Sequence, residues 1–245
     1  MNPRVTLAVT GRVLTQLRRD HRTAAMLLVV PALLIALLWW MFENVPNEPF
    51  DRVGPALLAI FPFTVMFLVT SVTTLRERSS GTLERLLAMP MGKFDFLLGY
   101  AVAFGLVAAV QSLLAVTVSV GILDLEIVGS VWLLGVVAVA DAVLGTALGL
   151  LVSAFARTEF QAVQFMPVVV IPQILLCGLF VTRDTMPSVL GSISDFLPLS
   201  YAVDAMSYLT VGNDSAQVWQ DVAVVMAFAL AGLALGAATL RRRTP

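Results

Sequence analysis

The sequence predicts an all-α polytopic membrane protein with six transmembrane helices. Of its 245 residues, 59% are hydrophobic and only 13% are charged, about half the charged fraction of an average soluble domain. Runs of roughly 20 residues that carry no charged side chain, or Asp141 alone, are long enough to cross a hydrocarbon core about 30 Å thick and occur six times. A water-soluble fold is therefore excluded. The predicted spans are residues 23–42, 55–75, 96–123, 131–156, 160–181 and 222–240.

The polar composition excludes several classes of function. The formal net charge is -1, so no overall basic field indicates nucleic acid as a partner. The one cysteine, Cys177, cannot form an intramolecular disulfide or a cysteine-cluster metal site. His21 is the only histidine, and the sequence holds no cluster of histidine, cysteine and carboxylate side chains. We therefore expect neither a metal site nor catalytic residues.

Residues 1–22 precede the first span and are predicted to form an amphipathic helix at the membrane interface. Apolar side chains such as Val5, Val9 and Val13 occupy one half of a helical wheel, and arginines such as Arg12 occupy the other. A loose basic segment that only sets the topology is the alternative. No small-residue cleavage site follows the first span, so we expect it to be an uncleaved signal anchor.

Basic residues set the predicted orientation, because positive charge accumulates in cytoplasmic loops. Thirteen of the 15 lysine and arginine residues fall in segments on one side of the six spans, and only Arg52 and Arg183 fall on the other. Both termini are therefore predicted to be cytoplasmic.

The second cytoplasmic loop, residues 76–95, contains a predicted short helix suited to docking on a partner. Gly81 can end the second span, Thr82 can cap the new helix, and Pro90 can stop it. An apolar stripe on this helix is formed by Leu83, Leu86 and Leu87. A merely solvated loop would not need that stripe.

Residues 182–221, between the fifth and sixth spans, are predicted to form a broken re-entrant hairpin outside the cytoplasm. Two amphipathic stretches of about ten residues are each about half as long as a span requires. They break at Leu197 and Pro198, Ser200 can cap the second stretch, and Gly212 can end it. A loop lying on the membrane surface is the alternative.

Asp141 is the only acidic residue inside a predicted span, which makes it a candidate functional residue. Gly145, Gly149 and Ser153 follow it at steps of four, so this face should pack closely against another helix. Gln111 lies at the same depth on the third span, and we expect an interhelical hydrogen bond between it and Asp141. A proton relay or a substrate contact at Asp141 is the alternative.

The motif in the second cytoplasmic loop carries a family resemblance. An acidic-basic pair, Gly-Thr, an acidic residue, two leucines and a proline follow the second span; the residues are Glu77, Arg78, Gly81, Thr82, Glu84, Leu86, Leu87 and Pro90. On these residues the chain resembles the ABC-2 family of transporter permeases, the membrane subunits of bacterial ABC exporters. The broken hairpin with its Pro-Leu-Ser-Tyr at 198–201 also fits. The resemblance covers residues 1–245 as one transmembrane domain and is greatest to daunorubicin-resistance-type drug exporters.

The resemblance implies a permease subunit in a bacterial cytoplasmic (inner) membrane. Such a chain forms a homodimer or pairs with a second permease chain, and two separate P-loop subunits bind ATP and Mg²⁺. The motif residues, with Leu83, would couple to that ATPase. The chain itself would need no cofactor and would not be an enzyme. In agreement, the only lysine, Lys93, follows Gly92 but precedes Phe94, so the sequence predicts no P-loop of its own.

The resemblance also implies that the second and fifth spans of two protomers line an export path. In this chain those spans offer Phe63, Met66, Phe67, Gln164, Met166 and Gln173. Aromatic and methionine side chains suit an adaptable apolar cavity, which favours a hydrophobic drug-like or lipid-like substrate. Packing against lipid or other helices is the alternative reason for them.

Two other function classes fit the composition less well. A secondary, proton-coupled transporter or a channel could use Asp141, but it would not need a docking helix, and the two three-span halves show no inverted repeat. An intramembrane aspartyl protease would need two facing carboxylates, whereas Asp141 stands alone in the spans.

Overall fold

The structure is a computed structural model that describes residues 3–46, 49–79, 93–212 and 215–239. Over these ranges the regular structure is helical throughout, with a 3-10 turn at Arg183–Thr185. The α-helices are α1 (Pro3–Arg19), α2 (His21–Phe42), α3 (Pro49–Ser79), α4 (Lys93–Gly121), α5 (Val131–Ser153), α6 (Glu159–Leu176), α7 (Ser188–Asp195), α8 (Pro198–Val211) and α9 (Ser215–Thr239). Among the described residues, six helices are long and apolar enough to cross a membrane, namely α2, α3, α4, α5, α6 and α9. The predicted all-α polytopic fold with six spans is confirmed.

Several helices differ in length from the predicted spans. Helix α3 begins at Pro49 rather than at residue 55, and α9 begins at Ser215 rather than at residue 222. An uncharged run ends at a carboxylate such as Asp221, but a helix continues through that residue when it lies near the helix end. In contrast, α6 ends at Leu176, before the predicted boundary at 181, and Gly178 just beyond it has a left-handed φ of 97°.

Helices α3 and α5 form the centre of the bundle. Within their most apolar windows, 67% of α5 and 61% of α3 is buried, compared with 17% of α2. The two backbones touch: a β-carbon placed on Gly145 would overlap the carbonyl oxygen of Phe63. One turn further along α5, a β-carbon on Gly149 would lie 2.5 Å from the carbonyl oxygen of Phe67. Glycine is therefore required for the close approach of these helices.

The other helices surround this central pair. Helices α4 and α9 pack against α5, whereas α2 and α6 pack against α3. Large apolar side chains on the outer helices are exposed, including Leu33 on α2, Val110 on α4 and Ile171 on α6. Outward apolar side chains are typical of helices whose solvent is lipid, because burial away from water then comes from the bilayer.

Helix α1 is amphipathic, as predicted, and its buried side packs on α4. Val9, Thr10 and Val13 are buried, and the hydroxyl of Thr10 donates a hydrogen bond to the carbonyl oxygen of Gly99, 3.1 Å away. Leu7, another apolar residue of α1, is exposed. The location of α1 at a membrane interface stays a prediction.

The segment before the last span contains two short helices with a break between them, as predicted. Helix α7 ends at Asp195, α8 begins at Pro198, and Gly212 ends α8 in a left-handed conformation with φ 94°. The predicted cap at Ser200 is wrong, because the proline already occupies the first turn of α8. The Ser200 hydroxyl lies instead 3.0 Å from that of Ser194.

The two short helices differ in what covers their apolar sides. Leu199, Val203 and Met206 of α8 are buried in the bundle core. In contrast, Val189 on α7 and Phe196 directly after that helix are 69% and 78% exposed. The outward apolar face suits contact with lipid, and re-entry of this hairpin into the bilayer stays a prediction.

Candidate functional site

The end of α3 that leads into the predicted docking loop is held by two ion pairs. Glu77 is buried and accepts a hydrogen bond from Arg12 of α1, with 2.7 Å between Nη2 and Oε2. The neighbouring Arg76 pairs with Glu159, the first residue of α6. Its Nε and Nη2 lie 3.0 Å from Oε1 and Oε2 of that carboxylate, a bidentate contact.

The two ion pairs point in different directions because consecutive helical residues do not share a face. Glu77 therefore binds the N-terminal helix while Arg76 binds α6. Thr158 supports the second contact: its side chain caps α6 by accepting a hydrogen bond from the Gln161 amide at 3.1 Å. The root of the docking loop is thus fixed to elements on both sides.

The far end of the loop is also anchored. Asp95, in the first turn of α4, is buried, and α4 packs on α1 one turn later through Gly99. Described residues on either side of the segment 80–92, Glu77 before it and Gly99 after it, therefore contact the N-terminal helix. The motif residues Gly81, Thr82, Leu83, Glu84, Leu86, Leu87 and Pro90 lie outside the described residues, as does the side chain of Arg78.

Asp141 is fully buried in α5, but the expected hydrogen bond to Gln111 is wrong. Gln111 is fully buried as well, and among the described residues neither side chain has a hydrogen-bond partner. The predicted close packing on this face is confirmed, but the neighbouring helix is α3 and not α4. Asp141 and Gly145 share a helix face, and at Gly145 this face meets the backbone of α3 at Phe63.

The six side chains expected along a substrate path are not brought together on one open surface of this chain. Phe63, Met66 and Phe67 are fully buried, and packing within the core accounts for them. Gln173 is buried at the end of α6, where its Oε1 accepts a hydrogen bond from the Leu199 amide at 3.4 Å. Of the others, Met166 is half-buried and Gln164 is exposed.

The sequence profile of the ABC-2 type transporter family matches residues 4–211, which include α1, both ion pairs and the segment through α8. The chain belongs to the ABC-2 type transporter family.

Several curated relatives are named as transport permeases or ABC transporters. The chain is 30% identical over 187 residues to "Inner membrane transport permease YhhJ" of Escherichia coli (strain K12), covering 74% of this chain and 50% of the relative. It is 27% identical over 184 residues to "Probable multidrug ABC transporter permease YbhR" of the same organism, covering 75% and 50%. "ABC transporter G family member 20" of Dictyostelium discoideum is 26% identical over 187 residues, covering 75% and 26%. The chain thus matches half or less of these relatives' lengths.

Sequence reasoning about this ABC-2 family member missed the partners of Arg76 and Glu77. The motif includes Glu77 but not Arg76. No feature of the sequence indicates Arg12 or Glu159 as their partners, because each partner lies far away along the chain. One signal for Glu159 existed, since an acidic residue directly after Thr158 is typical of a capped helix start.

Proposed function

We propose that this chain is the permease subunit of an ATP-driven exporter that moves a hydrophobic drug-like or lipid-like substrate out of the cytoplasm or the inner leaflet. The family match over residues 4–211 is the observation that carries the proposal. ATP and Mg²⁺ are bound by a separate P-loop subunit. The name of one Escherichia coli relative, "Probable multidrug ABC transporter permease YbhR", supports drugs as the substrate class.

The docking loop is the proposed contact with that ATPase. Arg12 and Glu159 hold the root of the loop through the two ion pairs, and the buried Asp95 lies at its other end. We propose that a helix of residues 82–89 between these two anchored ends transmits a movement of the ATPase to α3 and α4 together. Its contact surface is the stripe of Leu83, Leu86 and Leu87.

The proposal includes a second permease chain, identical or related, in a bacterial inner membrane with both termini in the cytoplasm. Helix α6 is only 17% buried over its most apolar window, which leaves a broad apolar side for a partner or lipid. Gln164 is on the exposed part of that helix and is the path residue most accessible from outside the chain.

Co-purification with the ATPase and ATP hydrolysis by the complex test the proposal. Replacing Leu86 and Leu87 with Asp should dissociate or uncouple the complex, because the apolar contact would then have to bury two charges. Replacing the same two residues with Met keeps an apolar stripe and should preserve binding. Unchanged co-purification and transport in the double Asp variant would refute the docking role.

A further inference from the structure

A cavity of about 560 Å³ lies at the end of the bundle opposite the docking loop. Helix α6 begins beside Arg76 and runs away from it, and the cavity lies beyond the other end of α6. Its walls come from the segment 178–195, from α8 and from the first turns of α9. The volume is in the range of pockets that bind drug-sized ligands.

The cavity wall is acidic. Four carboxyl groups line it, from Asp184, Asp195, Asp204 and Asp221, against the one guanidinium of Arg183. That guanidinium is already engaged: it pairs with Asp195 and Asp204 and lies 5.0 Å from the centre of the Tyr201 ring. Two carboxyl groups are therefore left without a basic partner among the residues that line the cavity.

Asp221 is the group that points to a ligand. It lies on α9 and is 4% exposed, and its Oδ1 accepts a hydrogen bond from Gln217 at 3.3 Å. Its Oδ2 has no hydrogen-bond partner among the described residues. A buried carboxylate oxygen without a partner costs free energy, and the charge of a cationic group in the cavity that Asp221 lines would offset part of that cost.

The shape and chemistry of the wall favour an organic cation over a metal ion. No group of three or more histidine, cysteine or carboxylate side chains in the described part of the chain could hold a metal. Aromatic surface is available from Tyr208, which is 42% exposed. A ligand with a positive centre and an apolar body fits both features.

We propose that this cavity binds organic cations with an apolar body, such as protonated or quaternary amines, with Asp221 as the counter-charge. The origin of the ligand rests on the proposed export function: a cationic substrate would reach this cavity after leaving the bundle on the side away from the ATPase. The cavity itself belongs to a single chain.

Equilibrium binding of tetraphenylphosphonium to the purified chain in phosphatidylcholine nanodiscs tests the site, with empty nanodiscs as the blank. We expect saturable binding to the wild type and an affinity for Asp221→Asn lower by roughly tenfold, as for loss of one close charge in a partly screened site. Asp124→Asn removes a carboxylate from the exposed connection between α4 and α5, outside the cavity, and should leave the affinity unchanged. Equal affinities for the two variants would overturn the proposal.

Two further measurements keep the test sharp. The neutral probe triphenylphosphine oxide has a similar shape and should bind more weakly than the cation, and equal binding of the two probes would overturn the assignment of a cation site. If Asp221→Asn does not fold, Ser207→Cys provides a second route, because Ser207 lines the cavity and Cys177 is buried. Tetraphenylphosphonium should slow labelling of that cysteine, and labelling at an unchanged rate would overturn the site.

The binding assay contains no ATPase, so it separates the two proposals. A chain that binds the cation but no ATPase would contradict the proposed function and leave the cavity assignment intact. A chain that binds the ATPase but not the cation would contradict the cavity assignment and leave the proposed permease function intact.

Discussion

Glu77 connects the N-terminal helix to the root of the docking loop. Its carboxylate is buried and paired with Arg12, so Glu77→Gln removes a charged hydrogen-bond acceptor from a largely dry site. We expect the free energy of unfolding to fall by about 1.5–3 kcal/mol and ATPase coupling to weaken. Thermal unfolding in detergent and ATPase assays of the complex measure the two effects. Glu43→Gln, at the exposed end of α2, is the control, and equal effects in both variants would contradict this role.

Asp141 distinguishes an ATP-driven permease from a proton-coupled transporter. Both of its carboxyl oxygens are buried without a hydrogen-bond partner in the described residues, so the isosteric Asp141→Asn breaks no contact within the chain. We expect stability and ATP-dependent transport to be retained. A variant that assembles with its ATPase but exports nothing would support the proton-coupled alternative instead.

Asp204 gives a testable pH dependence at the other end of the bundle. Burial raises the pKa of this carboxyl above its ordinary value of 3.8, and the Arg183 guanidinium offsets only part of the rise. The folded chain therefore holds this proton more tightly than the unfolded chain, and the free energy of unfolding falls as the pH rises from 3.8 through the raised pKa. Thermal unfolding from acidic to neutral pH should show a smaller decline for Asp204→Asn than for the wild type. Equal declines would contradict the raised pKa.

Among the elements, the contact between α3 and α5 depends on glycine. Alanine at Gly145 or Gly149 places a β-carbon against a main-chain carbonyl oxygen that cannot move alone, so each variant should lose about 1–3 kcal/mol of stability. Gly11 on α1 has no atom within 4 Å of a β-carbon added there, and Gly11→Ala should gain about 0.5–1 kcal/mol. Unfolding midpoints of the three variants give the comparison, and similar values for all three would contradict the close approach.

The sequence predicted the helices themselves better than it predicted which helices pack against each other. Hydropathy indicates spans because an apolar segment in a bilayer must pair its backbone hydrogen-bonding groups within itself, which a helix does. All six predicted spans are helices. The choice of neighbour is a tertiary property: the glycine stripe of α5 was recognised, but equal depth suggested α4 as its partner, whereas α3 packs there. Ser200 shows a similar limit, since several residues can cap a helix and the proline two positions earlier begins it.

For the candidate site, the sequence predicted the segment but not its supports. The motif of residues 77–90 can be read locally, because its glycine, leucines and proline act on their own stretch of chain. Arg12 pairs with Glu77 across 65 residues and Glu159 pairs with Arg76, just before the motif, across 83. Charge alone does not select these partners from many arginines and carboxylates. The acidic cavity likewise assembles residues from three separate segments.

For the whole molecule, the predicted orientation remains to be measured. A cysteine at Ser192, on the exposed side of α7, should react with an impermeant reagent from outside intact cells, whereas one at Ser79 should react only after the membrane is opened. Cys177 is buried and contributes little background. Labelling of the Ser79 variant in intact cells would reverse the topology.

The backbone contact between α3 and α5 has a mechanical consequence. In most helix pairs, side chains separate the backbones and can change rotamer when the helices move. Here main-chain carbonyl groups of α3 contact glycines of α5 directly. Close-packed interiors transmit strain. We therefore expect a displacement of α3 at residue 79 to move α5 with it as one rigid unit. Under the proposed function, we expect shape changes to occur at the outer helices α2 and α6, whose most apolar windows are only 17% buried and so make fewer contacts with the rest of the chain.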